Sequence, residues 1–587
     1  MTSLLLDPQI YAFSYETGMP PSDEIPMRLV PPPTLKKKLR DAREYRPRLC
    51  RYFIPIDKLE QLVEPASVTA ELKTLFPDLT NEQICQYAHL ICSKSKRLFT
   101  ILLVWCPERH YNITIIDLLN EDVNDSNLPL SRAELVNTDL ANPYHRPFTL
   151  STNGHSQCQL RDHTGCGIRA FAWWDETDIQ ELSLGQWIAL APVFKAIPDK
   201  ILHLDLDAAV VLPFVDEQDQ EDVMKGGYSE VWRARIHPAH QQLLAARDGE
   251  EPFLAIKRLL PQNNEREVFE RERKMLTLLT LRIKHKHLVR LLATYTTAGK
   301  HHFLFLYAKY NLRTYWKKHS PKPEWDRRTC LWVLRQMTGL ASGLNIIHNF
   351  ETPRLLGSDV PSDGATQQRP SLKSKRLKVL DQEQRFGRHG DIKPENILWI
   401  DYGDDIDPKG DLQIADLGLG RFHRLETRSR VDPRTIGGSA TYMPPEIDLQ
   451  QNVSRAYDIW SLGCVFLEFI TWLLDGSEGV EAFAGARSAP AYDAVVVDDT
   501  FYSILSASAG ENAELRSGVN TWVAHLRRNP RCSDMVHALL DLVLNRMLRV
   551  KPEDRIRSKP LEAELEKILS KAENTDTFIL EGRPRVG

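Results

Sequence analysis

Cysteine is scarce in this sequence. Nine cysteines are scattered over 587 residues with no dense or regular array, which excludes a small disulfide-stapled scaffold and fits a reducing compartment. An excess of one charge is also missing: 75 basic residues stand against 79 acidic ones, for a formal net charge of -4. No global basic field therefore argues for nucleic acid or a membrane surface as a partner, and neither is expected. Long apolar runs are few. The most apolar stretch, IWSLGCVFLEFITWLL at 459–474, is interrupted by Glu468 and falls short of the roughly 20 residues needed to span a bilayer. It reads as a buried helix. The N-terminal MTSLLLDPQIYAFSYETG has no basic lead, and Asp7 follows its leucines directly, which is unlike a secretory signal. Cytoplasmic or nuclear residence is the expectation.

What is present points to a multidomain globular chain. Hydrophobic residues make up 42% and charged residues 26%, and the length exceeds one ordinary hydrophobic core, so two to four domains are expected. Residues 1–45 carry PSDEIP, PPP and LKKKLRDAREYRPR and read as a mobile leader with a basic entry. Residues 46–146 read as a small helical or mixed domain: VTAELKTLF and NEQICQYAHLIC have helical spacing, and LFTILLVWC reads as a buried strand. Residues 147–216, with IRAFAWW, QWIALAPVF and ILHLDLDAAVVLPF, read as a β-rich connector. A larger domain spans 217–572, and 573–587 form a tail.

The larger domain carries the chemistry. KGGYSEVWRARI places Gly226, Gly227 and Ser229 ahead of an alternating strand, a turn in which backbone N–H groups can approach phosphate oxygens without a Cβ in the way. A plain hairpin would look the same. In PFLAIKRLL, Lys257 follows Ala255 and Ile256 in a strand whose other residues should be buried, and a buried ammonium requires a partner. Glu272, in the amphipathic helix EREVFERERKMLTLL, is a carboxylate on a frame that could reach it. HKHLVRLLATY and HFLFLYAKYNLRTYW add two strands, for a five-strand lobe with one helix. Downstream come HGDIKPENIL, LQIADLGLG, PPE at 444–446, DIWSLGC at 458–464 and PEDR ending at Arg555.

In this order, those motifs resemble the eukaryotic protein kinase superfamily, serine/threonine type. The resemblance implies an α+β fold: a bilobal protein kinase with a small β-rich lobe and a mostly helical lobe, preceded here by a mixed α/β extension. It also implies ATP and Mg²⁺ as cofactors and proteins as substrates. Carried onto this sequence, Met224, Gly226, Gly227, Ser229, Val231 and Ala255 would surround the nucleotide, with Phe305 as gatekeeper and Leu306, Tyr307 and Ala308 as the hinge facing adenine. Lys257 would hold the α and β phosphates and be held by Glu272. Asp391 would orient the acceptor hydroxyl, Lys393 would sit beside the γ-phosphate, and Asn396 and Asp416 would hold Mg²⁺. Glu446 and Arg555 resemble a buried structural ion pair. The long extension, with QWIALAPVF before the kinase motifs, is similar to a group of fungal kinases, and residues 1–215 are expected to dock on the kinase or recruit a partner.

The departures are specific. Met224 and Ser229 replace two glycines of the phosphate loop, and Leu417 replaces the usual Phe after Asp416. Gly390 stands where the family has an Arg that pairs with a phosphate on the activation segment. Its loss removes a switch rather than a catalytic group. The activation segment runs from Asp416 to Glu446. In it, Ser439 aligns with the Thr typical of serine/threonine kinases, and Thr427, Ser429 and Thr435 are the candidate phosphate acceptors. Three insertions follow: 236–251, expected to be an exposed loop; 351–386, expected to be disordered, with SKRLK as a basic cluster; and about 476–517, whose DDTFYSI is expected to pack back on the lobe. His155, Cys158, His163 and Cys166 have a His-x2-Cys-x4-His-x2-Cys spacing that offers four zinc ligands, with a polar hairpin as the alternative. Two functions stay open: an active kinase, or a pseudokinase scaffold that binds ATP or partners without efficient transfer.

Overall fold

The computed structural model describes residues 34–46, 48, 50–105, 115–131, 168–171, 174–218, 223–225, 229–246, 249–261, 265–350, 387–401, 409–417, 441–490, 497–507 and 510–585. The proposed zinc ligands, the 351–386 insertion and the phosphate acceptors at 427, 429 and 435 lie outside these residues. The chain divides into two compact units: residues 1–43 with 57–189, and residues 44–56 with 190–587.

The first unit is helical. Its helices are α1 Leu35–Asp41, α2 from Ile56–Leu62, α3 Pro65–Leu75, α4 Asn81–Lys94, α5 Lys96–Trp105 and α6 Glu176–Gly185. Capping sets the boundary of α4: Thr80 accepts from Gln83 N while Gln83 reaches back to the Thr80 amide. LFTILLVWC is not a strand. Every residue from Leu98 to Val104 in α5 is buried, and a helix buried all round carries the same unbroken apolar run as a buried strand. The 147–216 stretch is not uniformly β-rich either, because Asp175 caps α6 and QWIA forms a 3-10 turn.

The second unit holds the larger core. A seven-stranded sheet runs in the order β4 (Leu202–Leu206), β10 (Leu291–Thr297), β11 (Lys300–Leu306), β9 (Leu254–Leu259), β7 (Ser229–Ile236) and β5 (Phe214–Glu217), with β6 (Met224–Lys225) also on β7. The motifs alone gave five strands; β4 and β5 come from the stretch read as connector. Period-2 alternation splits this sheet into two apolar faces. Ile256, Leu304, Trp232 and Tyr295 join Phe194 and Phe214 in a core on one face. Phe303 faces the other way onto Phe269 of the helix α7 Glu265–Leu278, ring centroids 5.0 Å apart.

The outer face is covered by chain that carries no kinase motif. A hairpin of β1 (Glu44–Arg46) and β2 (Arg51–Phe53) places the buried Arg46 against Glu217 and the Leu212 carbonyl. Trp232 donates to the same Glu217 at 3.1 Å. The 236–251 insertion is not a free loop: His240 is buried, accepts from Ile56 N at 2.9 Å and lies 3.0 Å from the Pro192 carbonyl. Glutamines at its centre form β8 (Gln241–Gln242), parallel to β3 (Phe194–Lys195). A polar sequence was read as solvated, but its polar groups are satisfied by neighbouring backbone instead.

The helical lobe is built on α8 (Arg327–Asn349), α9 (Ala456–Arg487), α10 (Ser517–Arg528), α11 (Asp534–Leu542) and α12 (Ser558–Asn574). Among the described residues α9 alone is long and apolar enough to cross a membrane, yet 94% of its most apolar window is buried inside the fold. It runs past the apolar stretch because Gly476, at φ 73°, kinks it rather than ending it. A Cβ there would stand 2.6 Å from the Pro321 carbonyl oxygen, which accepts from Ser477 N at 2.8 Å. Between the lobes, β12 (Tyr310–Asn311), β13 (Ile397–Ile400) and β14 (Asp411–Ile414) form a small antiparallel sheet.

Two buried histidines make the second unit acid-sensitive. His302 stacks on Tyr295 at 4.2 Å, and burial, with Arg258 nearby, pushes it down to about 3. Burial lowers His287 to about 4, although its ring nitrogen bonds the Leu412 carbonyl at 2.8 Å. An unfolded histidine near 6.5 takes up protons before either folded one does. Stability is therefore full above that value and is lost as pH falls from 6.5 toward 4 and 3, by about 1.4 kcal/mol per pH unit for each histidine. Thermal melts at pH 7.5 and 5.0 should show this loss, and His302→Gln should reduce it.

Candidate active site

Strand alternation places Lys257. Its neighbours Leu254 and Ile256 enter the outer core, so Ala255 and Lys257 project from the opposite face of β9. Register puts Val231 opposite Lys257 and Phe305 opposite Ala255. On α7, Phe269, Glu272, Met275 and Leu276 share the buried face, and that spacing carries the Glu272 carboxylate inward. Lys257 Nζ lies 2.8 Å from Glu272 Oε1 and 3.0 Å from Asp416 Oδ1. Burial alone would push the Lys257 ammonium down, but Asp416 and Glu272 outweigh it and hold the pKa above the ordinary lysine value. The ammonium therefore keeps its charge. Beyond β11, Leu306, Tyr307 and Ala308 are half-buried, and Tyr307 N donates to the Phe253 carbonyl at 3.1 Å.

The loop 387–396 is held from below. Asp458 of α9 is fully buried and accepts from His389 N at 2.9 Å, Gly390 N at 2.7 Å and the His348 ring at 2.9 Å. Burial would raise its carboxyl pKa, but the bond from His348, electrostatic attraction to both rings and the Gly390 amide hold it below the usual carboxylate range. Above this clasp, Asn396 Nδ2 donates to both the carbonyl and the Oδ2 of Asp391, each at 2.8 Å. Lys393 Nζ is 3.2 Å from the same Oδ2. The Asn396 carbonyl accepts from Ala415 N at 2.9 Å, and the His389 ring bonds the Ala415 carbonyl at 2.8 Å, which fixes Asp416 beside the loop. Asp416 has φ 59°, a left-handed conformation uncommon outside glycine, asparagine and aspartate. Leu417 is buried behind it.

Residues 383–561 match the family model described as the protein kinase domain. Residues 383–561 thus carry a protein kinase domain. GLH-binding kinase 1 of Caenorhabditis elegans is 30% identical over 179 residues, covering 28% of this chain and 42% of that protein. The serine/threonine-protein kinase ATG1c of Arabidopsis thaliana is 27% identical over 247 residues, 42% of this chain and 25% of that one. Aurora-1, also of Arabidopsis thaliana, is 35% identical over 124 residues, 21% and 35% respectively. This chain spans less than half of the length of each of these relatives. Protein kinase domains use ATP and a divalent metal.

The structure brings Lys257, Glu272 and Asp416 into one ion cluster and Asp391, Lys393 and Asn396 into a second. Met224 is 61% exposed, in β6 opposite Val231; Ser229 is paired with Leu259 across β7 and β9. Gly226 and Gly227 lie outside the described residues. Gly390 has φ 75°, and a Cβ there would meet nothing closer than Arg388 Nε at 3.8 Å. Space would admit another residue; the backbone is the constraint, since a left-handed conformation costs an L-residue about 1–2 kcal/mol. Gly390 thus relieves strain that an Arg would carry at this clasp.

Asp458, His348 and His389 were missed as site residues. The available signal was the carboxylate of DIWSLGC itself, an acidic group inside an apolar helix that must find donors once buried. Arg313 was missed as well: it lies 3.2 Å from Glu395 and 3.1 Å from Glu468 and donates to the Tyr442 hydroxyl. Its partners are 82 and 155 residues away along the chain, beyond the reach of any local pattern.

Proposed function

We propose that this chain is an active serine/threonine protein kinase that transfers the γ-phosphate of Mg-ATP to protein hydroxyl groups. The observation that carries this reading is the ion cluster of Lys257 with Glu272 at 2.8 Å and Asp416 at 3.0 Å, a buried lysine held charged by two carboxylates. Lys257 would hold the α and β phosphates. Asp391, whose Oδ2 accepts from both Asn396 and Lys393, would orient the acceptor hydroxyl and take its proton. Lys393 would follow the γ-phosphate.

The donor set fits a hard divalent cation. Asn396 spends its amide N–H on Asp391, which leaves its side-chain oxygen as a ligand, and Asp416 supplies a carboxylate on the adjacent strand end; oxygen donors of this kind suit Mg²⁺. Mg²⁺ bound there would neutralise charge on the phosphate oxygens. Specificity for serine or threonine rests on Lys393 and Ser439 in the motif. We place the protein in the cytoplasm or nucleus, with protein substrates and with residues 1–215 as its docking region. The test is incubation with Mg-ATP and a generic protein acceptor. Phosphate transfer by the wild type and its loss in Asp416→Ala are expected; a folded wild type inactive with Mg²⁺ and Mn²⁺ would leave the scaffold reading.

A further inference from the structure

The connection between α9 and α10 is rooted in buried charge. Arg487, at the end of α9, is 2% exposed. Its guanidinium lies 4.1 Å from the ring centroids of both Phe483 and Phe501, with Glu468 at 3.1 Å. Arg516, at the far end of the connection, donates to the carbonyls of Arg487 at 2.7 Å, Asp498 at 2.8 Å and Tyr502 at 2.9 Å. A hairpin of Tyr502–Ala507 and Gly510–Leu515 projects from this root.

Three residues of the root reach the C-terminal end of the activation segment and the turn that follows. The Thr441 hydroxyl donates to Asp499 Oδ1 at 2.5 Å. The rings of Tyr442 and Phe501 are 6.4 Å apart. The Tyr502 hydroxyl donates to Asp448 Oδ2 at 2.6 Å. These contacts bracket residues 441–448 from both sides. Both partners are fixed elsewhere: Phe501 and Tyr502 are buried, and Ser461 of α9 donates to the Tyr442 carbonyl at 2.8 Å.

We infer that Asp499, Phe501 and Tyr502 are positioning residues that hold the end of the activation segment for a protein acceptor, without a phosphate. Gly390 has no side chain to pair with a phosphorylated segment. A phosphate-paired arginine would order this stretch only after modification; hydroxyl–carboxylate bonds from an inserted root order it in the unmodified chain. The inference rests on the kinase reading for its catalytic readout, but not for its structural one.

The experiment uses the full chain in two arms. Backbone hydrogen exchange of residues 441–448 is compared among the wild type, Asp499→Ala, Tyr502→Phe and Thr441→Val, together with the KM values for a protein acceptor and for ATP. Each variant should exchange faster there and raise the acceptor KM by about tenfold, the size of one lost hydrogen bond to a charged group, while the ATP KM stays within about twofold. Asp499→Asn, which keeps an acceptor oxygen, should recover most of the effect, and phosphatase treatment should leave the wild type unchanged. Unaltered exchange, or equal losses for ATP and acceptor, would overturn the inference. A wild type that transfers no phosphate defeats the kinase reading alone, and the exchange arm still decides the role of the root.

Discussion

Asp391→Asn is expected to reduce kcat by about 10²–10⁴-fold, the usual contribution of a positioned acid–base group, while ATP-dependent thermal stabilisation persists. The substitution is close to isosteric. It keeps an oxygen where Asn396 Nδ2 donates at 2.8 Å and leaves the Asp391 carbonyl bond from the same amide intact. What it removes is the charge that faces Lys393 at 3.2 Å and the ability to take a proton. Lys257, Glu272 and Asp416 are untouched, so nucleotide binding should survive. Steady-state rates with a protein acceptor, paired with melting curves with and without Mg-ATP, make the measurement; activity within tenfold of the wild type would show that Asp391 does not handle the acceptor proton.

Arg555→Ala should produce the largest loss of stability. Arg555 pairs with Glu446 through two parallel bonds, 2.8 Å from Nη1 and 2.7 Å from Nη2, and both side chains are fully buried. Its remaining N–H groups reach the carbonyls of Arg549 at 2.7 Å, Val550 at 3.0 Å and Ala456 at 3.0 Å. Removing it leaves a carboxylate without its partner and three carbonyls without donors. The expected cost is about 3–5 kcal/mol, visible as a fall of roughly 6 °C or more in Tm on the scaling for domains of moderate size. Glu446→Leu with Arg555→Met should recover much of it, since two apolar groups leave no stranded charge. By contrast the exposed pair Lys317–Glu481, 2.9 Å apart, should matter by no more than about 1 kcal/mol when broken.

Legibility followed range along the chain. Lys257 was readable because a lysine in an apolar alternating strand demands a partner, and Glu272 because helical periodicity turned it inward. The α5 helix was misread for a matching reason: LFTILLVWC is apolar at every position, so neither a period of 2 nor one of 3.6 shows, and burial on all sides hid its type. The 236–251 insertion was misread because polarity was taken for exposure, whereas His240 and Gln241 are buried with their polar atoms bonded. Asp458 stood in a quoted motif, yet its work, holding the backbone of His389 and Gly390, depends on donors 68 and 69 residues away.

By itself the sequence determined the residue types of the proposed site: two lysines, three carboxylates and an asparagine in fixed order, with the strand and helix periods that aim them. Those are local properties, set by side-chain chemistry and backbone geometry within a few residues. Tertiary structure decided what closes around them. It placed β4 and β5 on a sheet whose motifs supplied five strands, made His240 a buried acceptor, and tied Thr441 to Asp499 across 58 residues. Only folding brings such distant polar groups together, because each must find a partner when water is removed, and no short pattern in the chain records which partner that is.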